Sequence, residues 1–363
     1  MENGEKIKVL IIDGSAVNRN IYRDELSKDP DLQVQTEPDI DSANYAVIES
    51  SPDVICLDIE TTQMEGIEFI RNIMPKHPLP VIAISYLTLK GKHITLQALE
   101  AGAVDYVPKH TTDLNRSLKD LMTDLNAKIK TASQANVAHW INKKFEYLRR
   151  LPEFDKDKAA KLSDKVVVIG GSIGGIEGLR KMITRFPTNM PCVLVVQHIL
   201  PGFSKTLAYR LDEISGMNVK EAESGDVVQP GFVYIAPGDF HMKIIRSGGK
   251  FEITCESGEK VNGQRPSIDV LMFSIAEYIG QNSIGILLAG NSNDGALGLK
   301  AMKNSGAKTI TQDQPSSIFY QAPKAALEYG GVDTQMHLDD IALGIMKMLT
   351  GEAEPQQSLD FNK

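Results

Sequence analysis

The sequence predicts an α/β protein built from two doubly wound parallel-sheet domains. Short apolar runs alternate with longer amphipathic stretches, which is the pattern of strands covered by helices on both faces. The alternation stops at a polar segment near the middle of the chain and then resumes. With 363 residues, 42% hydrophobic and 24% charged, the chain is also too long for one core of ordinary size.

Residues 1–128 form the first predicted domain. Its strand-like runs are "KVLIID", "DVICLD", "PVIAIS" and "AVDYVPK", and between them lie the helical stretches "SAVNRNIYRDEL", "GIEFIRNIM" and "KHITLQALEAG". From Leu114 to Ile129 apolar residues recur at three and four positions, the spacing of a closing helix. Residues 129–163 are polar and charged, include the single tryptophan, Trp140, and read as a linker with some helix. Residues 164–350 restore the alternation with "VVVIGG", "CVLVVQH", "FVYIAPGD" and "IGILLAGNSNDGA", the last leading into the helical "LGLKAMKNSG". Residues 351–363 carry too little apolar surface to offset their ordering entropy and are expected to be disordered.

Composition excludes several function classes. Acidic residues outnumber basic ones by 47 to 39, a net charge of −8, so nucleic acid and anionic membranes are not expected partners. The first apolar run breaks at Asp13 and no stretch is long enough to span a bilayer, so neither an export signal nor membrane insertion is expected. Three widely spaced cysteines, Cys56, Cys192 and Cys255, fit neither a disulfide framework nor a metal ribbon and point to a reducing cytoplasm.

In open parallel sheets function collects at the C-terminal ends of strands. In the first domain those ends carry Asp13, Asp58, Ser85 and Lys109. Two carboxylates suit a hard cation such as Mg²⁺, which can neutralise an incoming phosphoryl group. Lysine supplies a point charge for phosphate and serine a hydroxyl able to exchange hydrogen bonds. Any one of these residues could instead be a helix cap.

The stretches "VLIIDGSAVNR", "PDVICLDIETTQMEGIEFI", "VIAISYLT" and "AVDYVPKH" resemble the receiver domain of two-component response regulators. The resemblance implies a flavodoxin-like fold, with Asp58 as the phosphorylated residue and a sensor histidine kinase as phosphodonor. It further implies Mg²⁺ held by Asp13, Asp58 and the main-chain carbonyl of Glu60, with Ser85 and Lys109 completing the pocket. Gly14 stands where receivers carry a second acid, and "TTQ" where Met-Pro is common.

The second domain opens with "KVVVIGGSIGGIEGLR", in which Gly170-Gly171-Ser172-Ile173-Gly174 fits the G-x-S-x-G spacing of a serine on a tight strand-to-helix elbow. Phosphate-cradling motifs fail on spacing, since G-x-G-x-x-G is absent and no lysine follows the glycines. A nucleophilic serine needs a base and an acid to orient that base. His198 ends "CVLVVQH" on the same rim and is the candidate base, with His241 as competitor; Asp294, between a strand and a helix, is the candidate acid. The competing reading makes Ser172 and Asp294 helix caps and His198 a satisfied strand-end residue. The order Ser, His, Asp differs from the Ser, acid, His order of α/β-hydrolases.

Over the whole second half the sequence is similar to the catalytic domain of the chemotaxis receptor protein-glutamate methylesterase family, CheB. The match runs through "VVQHILPGFSKTLAYRLD", "FVYIAPGDFHM", "RPSIDVLMFSIA" and "LLAGNSNDGALGLKAMKNSGAKTITQD". A receiver joined by a linker to such a domain is that family's architecture. The resemblance implies a Rossmann-like, cofactor-free hydrolase that demethylates γ-glutamyl methyl esters, and deamidates glutamines, on the cytoplasmic helices of methyl-accepting chemoreceptors. Its catalytic residues would be Ser172, His198 and Asp294, with an oxyanion region at Gly290 and Asn291. Where the family reads Thr-Gly-Met-Gly, this chain has Ala289-Gly290-Asn291-Ser292. Gly14, Asn291 and Ser292 also support an alternative reading, a weakened receptor-binding regulator with the same fold.

Overall fold

The computed structural model describes residues 5–60, 63–86, 88–109, 118–141 and 149–351. Two compact units divide the chain, Met1–Glu146 and Tyr147–Lys363. Among the described residues no helix is long and apolar enough to cross a membrane, and the three cysteines are free.

In the first unit β1 (Ile7–Ile12), α1 (Ala16–Leu26), β2 (Leu32–Glu37), α2 (Ile40–Ser50), β3 (Val54–Asp58), α3 (Gln63–Ile73), β4 (Val81–Ser85), α4 (Leu89–Ala101), β5 (Asp105–Pro108) and α5 (Leu118–Ala132) follow one another. The sheet order is β2-β1-β3-β4-β5 and every pairing is parallel. β3 and β4 are buried at all five positions, as strands covered on both faces must be. Ser15, Asp39 and Thr88 cap α1, α2 and α4 by accepting main-chain N–H groups, each contribution being about 1 kcal/mol.

The second unit contains α6 (Lys156–Lys161), β6 (Val166–Gly171), α7 (Gly175–Ile183), β7 (Cys192–Gln197), α8 (Phe203–Ile214), β8 (Asn218–Glu221), β9 (Phe232–Ile235), β10 (His241–Ser247), β11 (Lys250–Glu256), α9 (Ile268–Tyr278), β12 (Ser283–Leu287), α10 (Ala296–Asn304), β13 (Lys308–Gln312), α11 (Gln321–Glu328), β14 (Thr334–Met336) and α12 (Leu338–Thr350). Seven strands form one parallel sheet in the order β14-β13-β12-β6-β7-β9-β8, and β10 and β11 form a separate antiparallel hairpin. The chain leaves β6 toward β7 on one side and later returns to β12 on the other. The crevice between β6 and β12 is therefore the switch point of a doubly wound sheet, where such folds place their sites.

Several elements lie outside the runs that the sequence displays. β2 reads "LQVQTE", an edge strand with only Leu32 buried, so its apolar signal is weak. β8 and β14 are short edges of the large sheet, and α2 buries chiefly alanine. The helix expected over Leu114–Ile129 is described from Leu118 and runs on to Ala132; Leu114–Ser117, like Thr61, Thr62 and the tail beyond Gly351, lies outside the described residues. Past α5, Trp140 is buried, its ring against Gly102 of the first unit.

Candidate active site

Adjacent parallel strands bring three of the expected residues together. Ser172 follows β6 directly, and Gly174, at φ +83°, turns the chain into α7 in a conformation that favours glycine. His198 follows β7, the neighbour of β6, and its N–H donates to the Gly171 carbonyl at 2.9 Å. Asp294 lies between β12, the other neighbour of β6, and α10. Ser172 Oγ is 3.0 Å from His198 Nδ1, and His198 Nε2 is 2.8 Å from Asp294 Oδ2. All three side chains are nearly or fully buried.

The tautomer follows from the partners. An ionised carboxylate only accepts, so Nε2 carries the proton toward Asp294 and Nδ1 presents its lone pair to the serine hydroxyl. Asp294 also receives Ser267 Oγ at 2.7 Å and Asn262 Nδ2 at 3.0 Å on Oδ1, and the Ile268 N–H at 2.7 Å on Oδ2. Burial pushes this carboxyl up, but the hydrogen bonds from His198, Asn262 and Ser267 outweigh it and hold the group below its ordinary value.

Glycines let main chain close around the serine. A Cβ on Gly290 would sit 2.9 Å from Ser172 Cβ, and one on Gly171 or Gly175 would sit 2.5 Å from Gln197 Oε1. Gln197 Nε2 in turn donates to the Ser172 carbonyl at 2.8 Å. The Gly290 N–H donates to the Phe319 carbonyl at 2.9 Å, and the Ser172 N–H to the Ala289 carbonyl at 3.3 Å. Asn291 continues the loop from Gly290 toward Asp294. In that loop Ser292 Oγ is buried without a hydrogen-bond partner among the described residues.

His241, the competing base, is occupied elsewhere. Its Nδ1 accepts the Ser267 N–H at 3.2 Å and its Nε2 donates to the Glu259 carbonyl at 2.9 Å. Two further residues escape sequence reasoning. Asp269, in the first turn of α9, accepts the Gly295 N–H at 3.0 Å and the Gly298 N–H at 2.6 Å, and Asn262 Nδ2 reaches its Oδ2 at 2.7 Å. Burial and the charge of Asp294 raise the Asp269 carboxyl.

The first unit gathers Asp13, Asp58, Ser85 and Lys109 at the C-terminal edge of its sheet, all buried. Lys109 Nζ pairs closely with Asp58 Oδ2 and lies 3.5 Å from Asp13 Oδ2. Burial lowers the lysine's proton affinity, but the charge and hydrogen bond of Asp58 together with the charge of Asp13 outweigh it and raise the group overall. Asp13 accepts the Ser15 N–H at 2.8 Å and Asn18 Nδ2 at 3.2 Å, yet burial still pushes its carboxyl up. Ser85 Oγ donates to Glu60 Oε1 at 3.0 Å, and that same oxygen accepts the Tyr86 N–H at 2.9 Å.

Among the described residues no three His, Cys, Asp or Glu side chains converge on one point. Two buried carboxylates against one lysine still leave excess negative charge on hard oxygen donors. That set fits Mg²⁺, which uses one or two carboxylates and keeps several waters.

Residues 167–345 match the family model "CheB methylesterase" and residues 9–121 the model "Response regulator receiver domain". A protein-glutamate methylesterase/protein-glutamine glutaminase from Syntrophotalea carbinolica is 45% identical over 95% of this chain and 98% of its own length. One of the same name from Salmonella typhi is 38% identical over 96% of this chain and 99% of its own. The crystal structure of the Thermotoga maritima CheB methylesterase catalytic domain, 38% identical, covers 51% of this chain and 98% of that one, with a TM-score of 0.50.

Proposed function

We propose, from the premise that this chain belongs to the receiver-linked CheB methylesterase family, that Ser172, His198 and Asp294 are the catalytic triad of a serine hydrolase acting on γ-glutamyl methyl esters of chemoreceptors. The observation that carries the reading is the unbroken line of hydrogen bonds from Ser172 Oγ through His198 to Asp294.

As Ser172 Oγ attacks the ester carbonyl, His198 Nδ1 takes its proton and Asp294 stabilises the imidazolium. When the tetrahedral intermediate collapses, His198 returns that proton to the departing methoxide, and methanol leaves. The glutamyl–serine ester is then attacked by water deprotonated at the same nitrogen, which restores Ser172 and frees glutamate. A glutamine side chain follows the same path with ammonia leaving. Gly290 acts by close approach, its own N–H being held by Phe319; the Ile173 N–H, next to the nucleophile and without a partner among the described residues, faces no competitor for the developing oxyanion.

In the receiver, Asp58 accepts a phosphoryl group from a sensor histidine kinase and thereby raises the esterase activity. Asp13, Asp58 and the Glu60 carbonyl would hold Mg²⁺, which would supply positive charge against the incoming phosphoryl group. Lys109 moves from the Asp58 carboxylate to the phosphate, and Ser85 exchanges Glu60 for it. A substrate on the cytoplasmic helices of receptors supports a cytoplasmic location for the protein. A regulator that binds without hydrolysing is not favoured, because such a role would leave the triad without use.

Methanol release from methyl-labelled receptor membranes tests the reading. The wild-type chain is expected to exceed Ser172→Ala by three or more orders of magnitude, roughly the loss when a triad nucleophile is removed. Equal release from both would refute it.

A further inference from the structure

The turn at Val261–Gln264 touches the triad through Asn262. Val261 and Gln264 exchange main-chain hydrogen bonds of 3.1 and 2.9 Å, and Asn262 and Gly263 between them have φ of +52° and +75°. Both central residues in the left-handed region make this a tight Asn-Gly hairpin turn of the primed kind. Asn262 is an exposed residue, yet its side chain reaches inward to two buried acids.

Its Nδ2 lies 2.7 Å from Asp269 Oδ2 and 3.0 Å from Asp294 Oδ1. Both neighbours are carboxylates that only accept, so the amide must present its NH₂ to them, one hydrogen to each. Asp269 is anchored from the other side by the Gly295 and Gly298 N–H groups at the start of α10. One nitrogen thus separates two carboxylates that would otherwise share a proton.

We infer that Asn262 is a positioning residue: its amide, divided between Asp294 and Asp269, keeps both carboxylates ionised side by side and holds Asp294 in line with His198. The inference rests on the triad assignment above. The ionisable groups facing the cluster are His198 from the end of β7, Asp269 from α9 and His241 from the start of β10. The last reaches it only through the Ser267 N–H, and its other ring nitrogen is taken by the Glu259 carbonyl. Asp269 and Asp294 are therefore the groups whose charge Asn262 controls, and a change at either reaches His198 through the Asp294 hydrogen bond.

The test is the rate at which a fluorophosphonate labels Ser172 in the full-length chain, followed across the acid limb of its pH profile. This probe reports the activated serine whatever the natural ester. Asn262→Gly keeps the left-handed turn and deletes the amide. It is expected to move the limb up by about 0.5 pH unit or more and to lower the plateau about tenfold. Asp269→Asn removes the second charge and is expected to move the limb down. In the double variant the limb returns toward wild type, because with Asp269 uncharged the loss of the amide no longer leaves two carboxylates side by side.

An unchanged limb in Asn262→Gly overturns the inference, as does a double variant in which the limb stays as high as in Asn262→Gly. Should Asn262→Gly not fold, a downward limb in Asp269→Asn supports the coupling and an unmoved one overturns it. Wild-type chain that is labelled but releases no methanol removes the substrate reading and leaves the positioning role to be judged on the limbs. Wild-type chain that is not labelled at all removes both.

Discussion

Two acids end the same kind of journey in the two units, yet they behave in opposite ways. Asp13 and Asp294 both lie beyond the C-terminal end of a parallel strand and both are fully buried. Asp294 is held below its ordinary value by donors from four directions, whereas Asp13, with fewer donors and Asp58 beside it, is raised. Burial is common to both, so the number and charge of the partners decide the sign. An acid saturated by donors is built to stay ionised and orient a base. An acid left short of positive charge suits a site completed by something that arrives.

Asp294→Asn should give the largest departure, because the amide cannot both accept from His198 Nε2 and satisfy the other donors. Methanol release is expected to fall by about four orders of magnitude, the loss seen when a triad acid becomes an amide elsewhere. A fall of less than tenfold would mean that the carboxylate does not orient His198. The same carboxylate stabilises the fold above the unfolded value of 3.8, and that share is lost as pH falls through its lower folded value.

On the receiver side the expected effect is smaller. A small phosphodonor such as acetyl phosphate is expected to raise methanol release by about 5- to 150-fold, the range of typical coupling between sites. In Asp58→Asn that stimulation should vanish while unstimulated release persists. Stimulation retained in the variant would place the phosphoryl group elsewhere.

The contrast between the two acids was only partly legible in the sequence. Ser172, His198 and Asp294 could be found because each ends or follows a strand-like run of distinctive composition, and adjacency of the strands did the rest. Asp269 could not, since an acid in the first turn of a helix capped by Ser267 is what helix electrostatics alone would place there. Asn262 reads as a turn residue before Gly263, and nothing local announces that its amide faces two carboxylates from elsewhere in the chain. The parallel sheets were visible through central strands such as β3, β4, β6 and β7, which are buried along their length and mostly apolar. Their edges β2, β8 and β14 were not, because an edge strand needs few apolar residues.

The smallest effect concerns the cation. If Asp13 is raised for want of positive charge, Mg²⁺ should stabilise the receiver unit and leave the triad unit unmoved. Trp140, the single tryptophan, is buried against Gly102 and so reports unfolding of the first unit within the full chain. At Mg²⁺ concentrations several-fold above its dissociation constant the gain is about 1 kcal/mol, which shifts the melting midpoint read by tryptophan fluorescence by a few degrees. The shift should be lost in Asp58→Asn, which removes one of the two carboxylates. Gly14 offers no third acid to replace it. A midpoint indifferent to Mg²⁺ in the wild-type chain would mean that Lys109 already supplies all the positive charge the pocket can use, and the difference between the two acids would then reflect only their donors and the neighbouring Asp58.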